Sequence, residues 1–395
     1  RWSSTYDALW NTHLELAFGG WSLSLSLHAF VNDVLMALFF FVLGLEIKQE
    51  LVAGQLASAR TAALPAVAAL GGMVVPAAIY TAVNVGGAGA AGWGIPMATD
   101  VAFALGVLAL LGRRVPPGLK VLLLALAIVD DIGAIVVIAV FYAEGLSMGW
   151  LAAAAAGLAL TALLRQRRVW YMPVYAVLGV AVWFATYESG VHATIAGVAL
   201  GLLTPARPLM PGVDADRIAG ELSSDTAVTA AEVRDIWFRI RESVPVTERL
   251  QDLLHPWTSY VVVPLFALAN AGVRLSGDAV ADAARSPVTL GVVAGLVVGK
   301  VVGVTGAVAL GTRLGLGRLP AGVSPRHVLG MAGIAGIGFT VSIFVAGLAF
   351  DDPALTDEAK IGILAASVLG AAVGAAVLWR SGRSPARAGA DLSPS

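Results

Sequence analysis

No cysteine occurs among the 395 residues, which excludes disulfides, thiolate metal sites and thiol nucleophiles and leaves no redox clue to the compartment. Charge is scarce as well. Asp, Glu, Lys and Arg make up 13% of the chain, where soluble domains carry about 25%. So few charges cannot coat a water-facing surface on a chain this long, and a large soluble core is excluded. The net charge of -1, taken whole, points to no partner and least of all to nucleic acid. The stretch from Arg1 to Leu27 lacks a continuous apolar run of the signal-peptide type. Because the first residue is Arg rather than Met, an upstream segment is expected in the natural protein.

Apolar length is what the chain has in abundance. It is 58% hydrophobic, with a mean hydropathy of +0.83. About 20 apolar residues cross a hydrocarbon layer, and candidate spans fall at 29–50, 62–83, 88–111, 117–142, 149–164, 171–187, 190–204, 250–272, 288–312, 326–350 and 360–379. The expected fold is an all-α polytopic membrane protein. Its expected divisions are an extracytoplasmic segment at 1–28, membrane helices at 29–204, a charged loop with some helix at 205–249, further membrane helices at 250–379, and a disordered tail at 380–395. Residues Leu14–Leu27 alternate apolar and polar around Gly19 and Gly20, which is a hairpin pattern; an irregular loop fits it equally well.

Lys and Arg in short connections set the orientation. One alternate set of connections holds Lys48, Arg60, Arg113, Arg114, Lys120, Arg165, Arg167, Arg168, Arg313, Arg318, Arg326, Arg380, Arg383 and Arg387, whereas the other holds Arg274, Arg285 and Lys360. The first set, the long loop and the C-terminus are therefore expected on the cytoplasmic side. An outside start and an inside end require an odd number of spans, which eleven satisfies; an upstream span would make twelve.

Four charges sit deep in apolar runs. They are Asp100 in IPMATDVAFALGVLALL, Asp130 and Asp131 in VLLLALAIVDDIGAIVVIAV, and Lys300 in VTLGVVAGLVVGKVVGVTGAVAL. Each costs about 2.5–3.5 kcal/mol at a helix centre on insertion scales. Asp130 and Asp131 lie about 100° apart around a helix, so one can face a cavity while the other faces a neighbouring helix. A structural ion pair with Lys300 uses only part of the set. Three carboxylates and one lysine leave two negative charges, and protons or metal cations neutralise them. Hard oxygen ligands suit Na+ or Li+, so the two kinds of cation compete for one site.

Two apolar segments are interrupted. Gly92, Gly94 and Pro96 precede Thr99 and Asp100, and Gly330, Gly333, Gly336 and Gly338 precede Thr340 and Ser342. Pro removes a backbone donor, and irregular backbone at membrane depth requires cover by protein or a cavity. Paired interruptions point to a transport site. If both unwind, Asp100 offsets positive helix N-termini and Lys300 offsets negative C-termini. Gly291, Gly295, Gly299 and Gly303, spaced by four, fit close helix packing instead.

The motifs NDVLMALFFFVLGLEIKQEL, ATDVAFALGVLALLG, LALAIVDDIGAIVVIA, SGVHATIAGV, LLHPW, PLFALANAGV, VVGK and GIGFTVSIF stand in an order that resembles the NhaA family of sodium/proton antiporters, over about Asn32 to Trp379. The resemblance implies an inverted-repeat transporter with two discontinuous helices crossing at mid-membrane, in a bacterial cell membrane. It implies electrogenic export of one Na+ (or Li+) against two inward protons, control of cellular pH and sodium, and no cofactor. By the same match Asp131 is the main cation and proton carboxylate, Asp130 pairs with Lys300, and Asp100 and Thr99 belong to the broken-helix site. Glu46 and Glu50, on one helix face, match acidic positions tied to pH activation, although a solvated helix end reads the same way. His192 matches a histidine of the pH response; alone it reads as a hydrogen-bonded structural histidine. Asp33 beside Asn32 fits a helix N-cap as well as ion chemistry. The ribbon near Gly19 and Gly20 occupies the place of a dimerisation hairpin, which implies a homodimer.

Two departures stand out. Gln251 replaces a family glutamate before the HPW motif, with Glu248 and Asp252 as nearby acids; Asp252 joins the pH-regulation candidates. The 205–249 connection is longer than the family pattern. The competing functions are a sodium-coupled symporter, which needs a larger solute cavity, and an intramembrane aspartyl protease built on Asp100 and Asp131, which Lys300 and the adjacent Asp pair fit poorly. A channel lacks its ring of filter residues.

Overall fold

The computed structural model describes residues 2–18, 21–143, 145–167, 169, 171–210, 229–270, 272–273 and 277–381. Within hydrocarbon every backbone amide needs an internal partner, and the apolar runs meet that demand as helices. Helix α1 (Trp2–Trp10) leads into an antiparallel ribbon of β1 (His13–Phe18) and β2 (Trp21–Ser26), in register from His13 opposite Ser26 to Phe18 opposite Trp21. The expected Gly19–Gly20 turn lies outside the described residues, as do the loop charges Asp214, Asp216, Arg217, Glu221 and Asp225 and the tail from 382.

Helices α2 (Leu27–Ala53) and α3 (Ala59–Val83) follow. Next come the 3₁₀ helix α4 (Ala88–Met97) and α5 (Val101–Leu110), then α6 (Pro117–Phe141), α7 (Met148–Gln166), α8 (Met172–Glu188) and α9 (Thr194–Leu203). After these stand α10 (Ala230–Glu242), α11 (Val246–Trp257), α12 (Val263–Asn270), α13 (Gly277–Ala283) and α14 (Pro287–Arg313). The pair α15 (Pro325–Ile334) and α16 (Phe339–Ala349) precedes the final helix α17 (Pro353–Arg380). Among the described residues α2, α3, α6, α7, α14 and α17 are long and apolar enough to cross a membrane. Two bent pairs, α4 with α5 and α15 with α16, each turned by 49° at its break, are long and apolar enough when each is taken as one span. The span expected at 190–204 is shorter than its apolar run. Gly190 takes a φ of +80°, which turns the chain, and helix resumes at Thr194.

The chain forms two compact units: Arg1–Asn32 with Ser58–Glu144 and Leu265–Ser395, and Asp33–Ala57 with Gly145–Pro264. Lipid tails are as apolar as leucine, so helices associate through close packing rather than a hydrophobic drive. In the first unit the four-residue glycine repeat of α14 lies along α3. A Cβ on Gly303 would meet the carbonyl of Gly71, and one on Gly299 would meet Pro76. Around this seam Leu108, Leu119, Leu123, Leu126, Val304 and Met331 form a buried apolar cluster. In the second unit α9 packs against α2 in the same manner, with Gly201 facing Gly44 and the carbonyl of Phe41.

Candidate functional site

Pro96 sits at the end of α4, and the chain runs extended from Ala98 to Asp100 before α5 begins. The second break, between Ile334 and Phe339, holds Gly336 and Gly338. There a Cβ on Gly336 would strike the carbonyl of Leu296 in α14. The two breaks meet and bond to each other. The Asp100 amide donates to the Ile337 carbonyl at 2.6 Å. The Ser342 hydroxyl donates to the Ile95 carbonyl at 2.7 Å. Thr99 Oγ1 lies 2.9 Å from the Ala335 carbonyl.

Two of the buried charges stand at helix ends. Asp100 is the N-cap of α5, its Oδ1 accepting from the Phe103 amide at 3.3 Å. Its Oδ2 accepts from both the amide and the hydroxyl of Thr340, at the start of α16. One carboxylate thus faces two helix N-termini, each worth about half a positive charge. Lys300 Nζ donates to the Met97 carbonyl at 2.6 Å, at the C-terminal end of α4.

Lys300 also donates to Asp130 Oδ2 at 2.7 Å and to Thr99 Oγ1 at 3.0 Å, so all three ammonium protons have acceptors. The π-helical turn Ala294–Gly299 comes immediately before it. Such a turn shifts the phase of the side chains that follow it. Thr99 Oγ1 stands 2.9 Å from Asp130 Oδ2, while Asp130 Oδ1 has no hydrogen-bond partner among the described residues. Asp130, Lys300 and Thr99 are fully buried, and Asp131 and Asp100 are 3% and 4% exposed. Ala134, one turn beyond Asp130, packs with Ala98 and Val341 of the two broken helices. All five transport candidates named from the sequence therefore lie in one unit, around the paired breaks.

The pH candidates lie in the other unit. The Glu50 carboxylate accepts from the Gln55 amide at 2.7 Å and closes the end of α2; Glu46 is half-buried one turn earlier. His192 Nδ1 lies 3.1 Å from Thr194 Oγ1, and its Nε2 lies 3.7 Å from Asp33. The N-cap reading of Asp33 is corrected. Ser26 caps α2, and Asp33 sits inside the π turn Phe30–Leu35, where Trp183 Nε1 donates to its carbonyl at 3.0 Å. Gln251 is half-buried, and its Nε2 has no acceptor among the described residues; Glu248 and Asp252 are exposed beside it on α11.

Sequence reasoning missed two tyrosines that grip α4. Tyr80 Oη donates to the Gly89 carbonyl at 2.8 Å. Tyr142 Oη donates to the Ala91 carbonyl at 2.8 Å and accepts from the Gly94 amide at 3.3 Å. A lone tyrosine one residue past α6 was the available signal. The carbonyls of Met97, Ala335 and Ile337 gave none, since every residue has one.

A family model described as Na+/H+ antiporter 1 matches residues 1–378. The chain belongs to the Na+/H+ antiporter 1 family. The chain is 48% identical to "Na(+)/H(+) antiporter NhaA 3" of Frankia alni over 382 residues, 95% of this chain and 81% of that protein. It is 47% identical to the Na(+)/H(+) antiporter NhaA of Oleidesulfovibrio alaskensis, over 98% of this chain and 89% of the relative. The counterpart in Syntrophobacter fumaroxidans is 45% identical, over 96% and 84%. This member of the Na+/H+ antiporter 1 family is accordingly a multi-pass membrane transporter that exchanges sodium for protons, and not an enzyme. Membership sets aside the symporter and aspartyl-protease readings.

Proposed function

We propose that Asp131 and Asp130 carry the exchange, with Asp131 as the main cation carboxylate and Lys300 as the switchable partner of Asp130. The observation that carries this reading is the 2.7 Å contact of Lys300 Nζ with Asp130 Oδ2, fully buried and one residue from Asp131. Sodium or lithium arriving at Asp131 displaces its proton. Deprotonation of Lys300 releases Asp130 to the cation and supplies the second proton. Two protons then move inward for each sodium moved outward, so the cycle carries net charge. Thr99 offers a hydroxyl oxygen to the same site, and Asp100 holds both half-helix starts in place while access alternates. Protons and alkali ions contend for the same oxygens, so neither holds the site at full occupancy while the other does.

The reading extends to the cell. The antiporter exports sodium and sets internal pH from the bacterial cell membrane, with its C-terminus in the cytoplasm as the excess of Arg and Lys on one set of connections supports. Glu46, Glu50, His192 and Asp252 tune its response to pH. A homodimer forms through the β1–β2 ribbon, whose outer edges are open to strands of a second copy.

The deciding experiment follows internal pH in inside-out vesicles on sodium addition. The parent responds, and Asp131→Asn does not. In purified protein, sodium affinity falls as pH is lowered. An unchanged response in Asp131→Asn, or sodium affinity indifferent to acidification, overturns the assignment.

A further inference from the structure

Helix α10 differs from the rest of the chain. In 13 residues, AAEVRDIWFRIRE, it carries three arginines and three acids, and it opens with a capping box between Thr229 and Glu232. At about 100° per residue, Val233, Ile236, Trp237 and Ile240 fall within one narrow arc. Arg234 and Arg241 border that arc on one side and Glu232 and Arg239 on the other, while Asp235 and Glu242 point away. Most of the arc is open among the described residues: Val233, Trp237 and Ile240 are 53%, 59% and 49% exposed, and Ile236 is half-buried.

The helix is nevertheless tied down. Buried Glu242 holds Arg249 of α11 through paired contacts of 3.1 and 3.3 Å. The Glu242 carbonyl accepts from the Met210 amide at 3.0 Å, and the Pro205 carbonyl, just past α9, accepts from the Thr247 amide at 3.2 Å. Only Ser243, Val244 and Pro245 separate α10 from α11, a reach of about 10 Å. An apolar stripe fixed this close to membrane helices has bilayer within reach.

We propose that α10 is an interfacial helix that lies on an anionic lipid surface. Its stripe enters the boundary between headgroups and acyl chains, and Arg234, Arg239 and Arg241 contact lipid phosphates. Three features favour lipid over other occupants. Basic residues border the apolar face on both sides, and the one acid at its edge, Glu232, is turned back onto the Thr229 amide and hydroxyl, which leaves the pattern of helices lying in a membrane plane. Tryptophan, here at the centre of the stripe, concentrates at that depth. Guanidinium forks match phosphate oxygens in pairs, and the 3.6 Å pairing of half-buried Arg239 with exposed Asp235 is partly screened by solvent. Free phosphate meets the arginines but leaves the stripe in water, so the phosphate must come with hydrocarbon attached.

Because the chain has no cysteine, one introduced cysteine gives one label. Ile240→Cys and Asp235→Cys, each carrying an environment-sensitive fluorophore on the full chain, are reconstituted into phosphatidylethanolamine–phosphatidylglycerol vesicles and into phosphatidylcholine vesicles. Sodium-dependent proton exchange in each variant certifies the fold. In the anionic vesicles lipid-borne nitroxides quench the label at 240 about twofold or more over the label at 235, as a helix lying in the interface requires. Replacing Arg234, Arg239 and Arg241 with Gln, or using phosphatidylcholine, removes that difference. A label at 240 open to aqueous quencher in anionic vesicles overturns the proposal. So does protection indifferent to lipid charge, or protection that follows the protein-to-lipid ratio, which marks a second copy as the occupant.

Discussion

Asp100 accepts two hydrogen bonds from Thr340, one from the backbone amide and one from the hydroxyl, so a side chain of the first broken helix starts the second. Mid-membrane helix ends carry unsatisfied amides, and here one carboxylate serves the starts of both α5 and α16.

Asp100→Asn retains a competent cap but removes the charge that faces both N-termini. Interactions of this kind contribute about 0.3–2 kcal/mol for each helix end. Thr340→Val keeps the backbone donor and loses one hydrogen bond, worth about 1 kcal/mol. Sodium-driven exchange in vesicles, together with thermal unfolding in detergent, should fall in the order parent, Thr340→Val, Asp100→Asn. Equal losses in both variants would sink the charge argument.

Lys300→Ala strands Asp130 in a site without solvent exposure. Removing one member of a buried pair destabilises by about 3–5 kcal/mol, less where the remaining carboxylate takes up a proton. Adding Asp130→Asn should restore much of the melting temperature, because the uncompensated charge is gone. Residual exchange in Lys300→Ala, read with a membrane-potential dye, should carry less charge per sodium. A double variant less stable than Lys300→Ala alone would refute the pairing account.

Tyr142→Phe deletes the hydroxyl that bonds Ala91 and Gly94. The grip lies on α4, whose end presents the Met97 carbonyl to Lys300. Loss of about 1 kcal/mol of positioning corresponds to about a fivefold rise in the KM for sodium. The maximal rate should change less than KM. A fall in rate with unaltered KM would show that the tyrosine serves stability alone.

The Thr229 amide and hydroxyl, donating to the Glu232 carboxylate, hold that group below the ordinary glutamate value of 4.5. A lowered folded value means that the cap supports α10 fully above the ordinary value and fails as pH drops through the folded one. Hydrogen exchange of residues 230–242 should be slower in the parent than in Glu232→Ala at neutral pH. The two should converge in acid, and a difference that persists there would contradict the cap.

Much of the site was readable in primary structure because its charges are conspicuous against hydrocarbon. Asp100, Asp130, Asp131 and Lys300 interrupt apolar runs, and Pro96 and Gly336 mark where those runs cannot stay helical. One reading failed where the start of a helix was needed. Asp33 resembled a cap until Ser26 proved to be the first residue of the helix boundary.

Membrane crossing and the depth of each ionisable group follow from the order of residues alone, since the cost of charge in hydrocarbon depends on local composition. Which carbonyl meets Lys300, which helix start meets Asp100, and which tyrosine steadies α4 were decided by tertiary structure. Those partners are backbone groups and distant side chains, up to 240 positions away along the chain, that become neighbours only when the two breaks cross.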